Sequence, residues 1–182
     1  MKIKEIINKK VGVVIQVRSS SKRLKNKFRK IIEKDSLINF LIKRIIKFNK
    51  NLNLIICIPK SDEVIYSHLK KIKNLQIFRG SKNNVLDRYY KCALKFNLNT
   101  IVRLTGDNPL VDLNLMFNNL KNHIKKKKSF TTNCHENSFP NGLEFEIINI
   151  KLLEYVWKHA VLNSDKEHVT PFIYRLIKSN KI

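Results

Sequence analysis

The chain has 182 residues, with 37 Lys and Arg against 14 Asp and Glu for a formal net charge of +23, a length that suits a single domain over 1–182. Such a chain buries about two-thirds of its unfolded surface without staples, and Cys57, Cys92 and Cys134 are odd in number with no C-x-x-C spacing, so reduced thiols in a cytoplasmic protein are expected. No signal-peptide core and no membrane span is readable; the charge would suit nucleic acid, but Lys, Asn and Ile recur through every segment, so it reads as compositional bias with no specific nucleic-acid partner.

The first apolar run, Val11-Gly-Val-Val-Ile-Gln-Val17, is β-branched and bounded by charge, which predicts a fully buried first strand. It hands over to Arg18-Ser-Ser-Ser-Lys-Arg-Leu-Lys-Asn-Lys27, a polar loop carrying three hydroxyls and several cations. Backbone amides and serine hydroxyls there can donate to phosphate oxygens, while Arg18 and Arg23 offer forked donors and Lys27 a point charge, a set suited to a triphosphate. The same loop also reads as solvated basic surface, and the G-x-x-x-x-G-K-[ST] pattern of a P-loop is absent. Helical spacing predicts a helix over 36–48 capped by Ser36, then a strand over 54–58 ended by Pro59, then a helix opened by Ser61. A short strand over 75–78, a tight turn at Gly80 and a helix over 85–96 capped by Asn84 extend this to the β-α-β-α-β alternation of a parallel sheet.

Ile101-Val-Arg-Leu-Thr-Gly-Asp-Asn-Pro-Leu-Val-Asp112 is an apolar run that stops abruptly. Pro109 has no amide to donate and pushes Asn108 into extended geometry, so the strand ends before it and leaves Asp107 at its carboxyl end. In open α/β sheets that edge is where ligands bind, and a lone acid beside Gly106 suits a divalent cation carrying phosphates. Gly-Asp-Asn-Pro equally reads as a plain turn, with Asp112 capping the next helix.

That helix is predicted over 112–124 and a short strand over 129–133. The stretch 139–148 alternates with period two, Leu143, Phe145 and Ile147 on one face and Glu144 and Glu146 on the other, either a half-exposed strand or, if the acids face Asp107, part of a site. A helix follows over 151–161, and Ser164-Asp-Lys-Glu167 reads as a capping box for a last helix in which Pro171 lies unusually far in. The five histidines show no ligand spacing, so no structural zinc is expected.

Taken together these loops resemble the cytidylyltransferase family that activates acidic sugars as CMP-sugars, in the branch typified by the spore-coat polysaccharide biosynthesis protein F. Gln16 to Lys27 is similar to the family's Q-A-R-x-x-S-x-R-L-P-G-K; Arg79-Gly-Ser81 with Val85-Leu-Asp-Arg-Tyr-Tyr90 to R-G-S-x-x-x-V-L-D-R-Y-Y; Arg103 to Pro109 to R-x-T-x-D-x-P. Pro140-Asn-Gly-Leu-Glu-Phe-Glu146 and Glu167-His-Val-Thr-Pro171 resemble P-x-G-L-D-x-E and E-H-V-T-P. The resemblance implies a three-layer, Rossmann-like α/β nucleotidyltransferase domain, of the nucleotide-diphospho-sugar transferase type, with a mostly parallel sheet. It implies transfer of CMP from CTP to a sugar or sugar acid for surface polysaccharide synthesis, with Mg²⁺ on Asp107. Arg18, Arg23, Lys27 and Asp107 would be catalytic, with Ser21, Arg79, Gly80, Ser81, Asp87 and Arg103 also binding nucleotide and Asn141, Glu144, Glu146 and His168 binding the sugar.

Three departures stand out: Lys25-Asn26 for the usual Pro-Gly, Glu144 for Asp, and an end at Ile182 before the family's D-T-P-x-D segment. The expectation is nucleotide binding with weak turnover, and an uncovered sheet edge that favours self-association, a homodimer included. The rival readings are a glycosyltransferase of related fold, whose D-x-D metal motif is absent, and a non-catalytic homologue or partner subunit.

Overall fold

A computed structural model describes residues 10–20, 26–134 and 139–181. The predicted first strand is β1 (Val11–Gln16); the loop after it returns through a 3-10 turn (Lys27–Arg29) to a small hairpin, β2 (Ile31–Ile32) and β3 (Asp35–Ser36), which carries no periodic signal in the sequence. Helix α1 (Leu37–Phe48) begins at Ser36, whose hydroxyl accepts from the Asn39 amide. Then come β4 (Asn53–Pro59), α2 (Glu63–Leu69), β5 (Gln76–Gly80), α3 (Val85–Lys95), β6 (Thr100–Thr105), α4 (Leu113–Lys125), β7 (Phe130–Thr132) and β8 (Glu146–Asn149). Helices α5 (Ile150–His159), α6 (Asn163–His168) and α7 (Pro171–Lys178) close the chain.

The main sheet has the order β5-β4-β1-β6-β8-β7. β5, β4, β1 and β6 run parallel, and β8 lies antiparallel between β6 and β7. Because the chain winds from β1 outward through β4 and β5 and then crosses back to β6, the carboxyl ends of β1 and β6 form the switch point where such sheets open a crevice. Alternate side chains of β1 feed two cores: Val13 and Ile15 pack with α1, α2 and α4, whereas Val14 packs with α3, α5 and α7, giving helix, sheet and helix layers. β1 and β6 close tightly at their ends because position 106 is glycine. Its amide donates to the Gln16 carbonyl at 2.7 Å, and a β-carbon there would stand 2.9 Å from the Val17 side chain.

Three local readings change. The cap of α2 is Asp62, not Ser61; Asp62 accepts from the Ile65 amide and also from the Ser19 amide and hydroxyl, so a cap doubles as an anchor for the loop after β1. The period-two stretch over 139–148 is strand only from Glu146, and Glu146 is buried at 4% exposure, not half-exposed, because helices cover both faces of β8. Ser164 makes no capping bond and the last helix is two: the chain breaks at Val169, whose φ of 74° no β-branched residue adopts freely, and Pro171 then opens α7, where its missing amide costs nothing. The three cysteines are free thiols, and among the described residues no helix is long and apolar enough to cross a membrane.

Candidate active site

At the switch point lies a cavity of about 210 Å³ lined by Arg18, Lys27, Arg103, Thr105, Asp107 and His168 among others. Lys27 is brought there by the 3-10 turn, which Asn26 starts with φ 53° and ψ 33°. That left-handed conformation explains the family's glycine at this position, and asparagine is the residue that tolerates it next best. The Asn26 amide donates to the Ser19 carbonyl at 3.0 Å, closing the loop on itself. Ser21 and Arg23 lie outside the described residues.

Lys27 Nζ sits 3.1 Å from Asp107 Oδ2, and Arg18 sits 3.6 Å from Glu167 at the end of α6. Partial burial pushes the Asp107 carboxyl up, but the Thr105 hydroxyl, Lys27 and its own backbone outweigh it and hold the group below its ordinary value, so it is ionised at neutral pH. Both pairs are half exposed, so a more highly charged ligand can take either cation. Gln16 also lines the cavity, and its buried Oε1 has no partner among the described residues.

Arg103 forms the far wall. Its guanidinium bonds Glu146 directly opposite on β8, and Glu146 also accepts from the Thr170 hydroxyl at 2.7 Å and the Tyr174 hydroxyl at 3.5 Å. Burial disfavours the charged guanidinium, yet Glu146 more than compensates and raises Arg103 above its usual value. Behind this wall lies a second cavity of about 300 Å³, which shares Arg103 and Thr105 with the first and adds Asn108, Glu144 and Glu146. Glu144 Oε2 accepts from Asn108 Nδ2 and from the Gly142 amide, each at 2.7 Å, folding the turn at Gly142 (φ 95°) onto the end of β6. Asn141 is exposed on that turn and lines neither cavity.

Arg79, Gly80, Ser81 and Asp87 gather elsewhere, round a surface depression at the end of β5. Arg79 is engaged by the Lys60 carbonyl and Glu63 and stacks 4.4 Å over Tyr66; Asp87 accepts from Trp157 Nε1 and Lys91, each at 3.0 Å, joining α3 to α5. A pocket of about 460 Å³ bordered by Arg18, Ser81, Asn84 and Glu167 bridges this group to the first cavity. Sequence reasoning missed Asp62, Asn108 and Thr170 as supports, although Asn108 and Thr170 lie inside the motifs that carried the resemblance. It also passed over Arg88, which is fully buried, donates to the Ser81 carbonyl at 2.7 Å and thereby holds that loop from below. No group of three or more candidate metal-ligating side chains occurs among the described residues.

A parallel sheet with an antiparallel insertion and a basic cavity at its switch point define an α/β nucleotidyltransferase fold, and solved structures bear this out. A cytidylyltransferase from Leptospira borgpetersenii superposes with a TM-score of 0.87 at 28% identity, over 93% of this chain and 73% of that one. A CMP:2-keto-3-deoxy-manno-octonic acid synthetase complexed with CTP shares the fold, with a TM-score of 0.71 at 14% identity over 94% of this chain and 86% of that one. The chain belongs to the cytidylyltransferase family, which it matches over residues 12–179. Among curated relatives, an uncharacterised protein of Methanocaldococcus jannaschii is 33% identical over 91% of this chain and 67% of its own length. The spore coat polysaccharide biosynthesis protein SpsF of Bacillus subtilis is 30% identical over 88% of this chain and 68% of its own.

Proposed function

We propose that the protein transfers CMP from CTP to a hydroxyl of a sugar destined for surface polysaccharide, releasing pyrophosphate. The observation that carries this reading is the convergence of Arg18, Lys27 and Asp107 on one cavity at the β1/β6 switch point. In the transfer, the sugar oxygen bonds to the α-phosphorus as the bond to the departing pyrophosphate breaks, and the hydroxyl proton passes to solvent. Arg18 and Lys27, drawn from Glu167 and Asp107 by the greater charge of a triphosphate, hold its outer phosphates where negative charge accumulates. Asp107 is the carboxylate that would hold Mg²⁺; one ionised acid fits an ion bound mostly through phosphate oxygens and water. When bound, Mg²⁺ supplies charge neutralisation on the phosphates. Gln16 Oε1 offers an acceptor for an amino group such as that of cytosine. Positioning and charge carry the rate, since little covalent work is asked of the protein.

The test is pyrophosphate release from CTP and Mg²⁺ with a panel of sugars and sugar acids. Acceptor-dependent release that disappears on chelation, and that ATP and GTP do not support, is expected. Release without any acceptor dependence would instead mark a simple nucleotide hydrolase.

A further inference from the structure

The loop after β1 is fixed by a residue that lines neither the first cavity nor the pocket of about 460 Å³ beside it. Asp62 sits in the turn after β4, next to β1 in the sheet, with its amide on the Pro59 carbonyl at 3.0 Å. Its Oδ2 accepts from the Ser19 amide at 2.7 Å, and its Oδ1 accepts from the Ser19 hydroxyl at 2.7 Å and from the Ile65 amide at 3.3 Å. The Ser19 carbonyl in turn accepts from the Asn26 amide at 3.0 Å, so the amide, hydroxyl and carbonyl of Ser19 are all engaged. Arg18 directly precedes this serine, and Asn26 opens the turn that delivers Lys27. Arg18 and Lys27 therefore hang from one clamp: Asp62 holds Ser19, and Ser19 holds the two ends of the loop together. The side chains of these cations rest on Glu167 and Asp107 through half-exposed pairs that a ligand can displace, whereas the bonds from Ser19 to Asp62 are short, charge-assisted and partly buried.

We infer that Asp62 is a positioning residue for the triphosphate: through Ser19 it sets the spacing of Arg18 and Lys27 before the ligand arrives. The inference rests on the first cavity being the CTP site. With the clamp in place, both cations keep their backbone positions as they leave Glu167 and Asp107, so little ordering of the loop opposes binding. Without it the ends of the loop must be ordered at the expense of affinity. That cost falls on the outer phosphates, which these cations hold in the proposed reaction, and so on CTP more than on CMP. Charge alone predicts the opposite. Asp62 is an anion bonded to the residue beside Arg18, so neutralising it removes a like charge from the neighbourhood of a polyanion and by itself tightens binding. Weaker CTP binding after its loss is thus the mark of positioning.

Asp62→Ser and Ser19→Ala test this in the full chain. Serine caps a helix about as well as aspartate but offers a single, shorter oxygen, so Asp62→Ser keeps α2 while giving up Ser19. With Mg²⁺ present, Asp62→Ser should weaken CTP binding about tenfold by calorimetry and CMP binding by less than about twofold by saturation-transfer NMR. Ser19→Ala, which leaves the charge of Asp62 in place, should show the same preference with a smaller loss, and Ser19→Thr, which returns the hydroxyl, should restore the affinity. The double variant should lose little more than Asp62→Ser alone, because both changes cut one clamp. Should Asp62→Ser not fold, Ser19→Ala set against Ser19→Thr still reads the clamp. CTP and CMP weakened alike, CTP binding unchanged or tightened in Asp62→Ser, or strictly additive losses would each overturn the inference and leave the CTP site standing. A wild-type chain that binds no CTP defeats the nucleotide reading, and the inference with it.

Discussion

Asp107 and Arg103 lie two residues either side of Thr105 and pair with Lys27 and Glu146 respectively, yet the two pairs differ in character. The side chains of the first pair are 41% and 46% exposed, those of the second 14% and 6%. Water competes for the first pair, so its partners exchange readily and a phosphate or metal ion can take them. The second is desolvated, stacked near Tyr89 and tied through Glu146 to Thr170 and Tyr174, so it holds β6, β8 and α7 in register. The exposed bridge can therefore yield its partners to a ligand, whereas the buried one frames the strand ends beside it.

The largest expected effect tests the frame. Glu146→Ala leaves Arg103 charged and unpaired in a buried position, and should destabilise the fold by about 3–5 kcal/mol in urea titration, with the paired replacement Arg103→Met/Glu146→Leu recovering part of the loss. A cost for Glu146→Ala no greater than the ~1 kcal/mol of a surface pair would erase the distinction. Next, CTP with Mg²⁺ at 100 times its dissociation constant should add about 2.7 kcal/mol to the unfolding free energy, and more than ATP or GTP at the same concentration. Equal shifts for all three nucleotides would leave only a polyphosphate site.

Changes at the exposed pair should be small in stability and large in binding. Lys27→Ala and Asp107→Asn are each expected to alter unfolding by about 1 kcal/mol or less, while calorimetry should show Lys27→Ala weakening CTP binding and Asp107→Asn abolishing its Mg²⁺-dependent part. Unfolding of either variant would make the pair structural after all. The smallest effect is on pH. Because the Asp107 carboxyl is held below its ordinary value in the folded protein, its contribution to stability is present above the unfolded value and fades only as pH falls through the lower, folded one. Removing Lys27 takes away part of that depression, so Mg²⁺-dependent CTP binding in Lys27→Ala should be lost at a higher pH than in the wild type.

How much of this was readable in the sequence depends on whether a residue's role is set locally. Asp107 was placed correctly at a strand end because Pro109, two residues on, must end the ladder. Ser36, Asn84 and Asp112 were placed as caps because capping is a contact within one turn. The burial of Glu146 was not legible because alternation reports only that a residue faces away from Phe145; that a second helical layer waits on that side is a property of the whole fold. The split between α6 and α7 was signalled only by Pro171, since Val169 occupies a backbone conformation its side chain alone would disfavour. Arg79 and Asp87 came in through the resemblance, and their partners Glu63, Tyr66 and Trp157 belong to other elements that no spacing rule connects.

The antiparallel entry of β8 between β6 and β7 divides the molecule's labour along its chain. Most of the lining of the first cavity is encoded before residue 113, whereas the turn at Gly142, Glu144 and β8 arrive afterwards and reach the same edge from the opposite direction. Under the proposed function, residues 139–149 are thereby separable from most of the lining of the first cavity. Transplanting residues 139–149 from a relative, with Asn108 and Arg103 kept to receive them, should exchange one sugar preference for another while the affinity for CTP stays as it was.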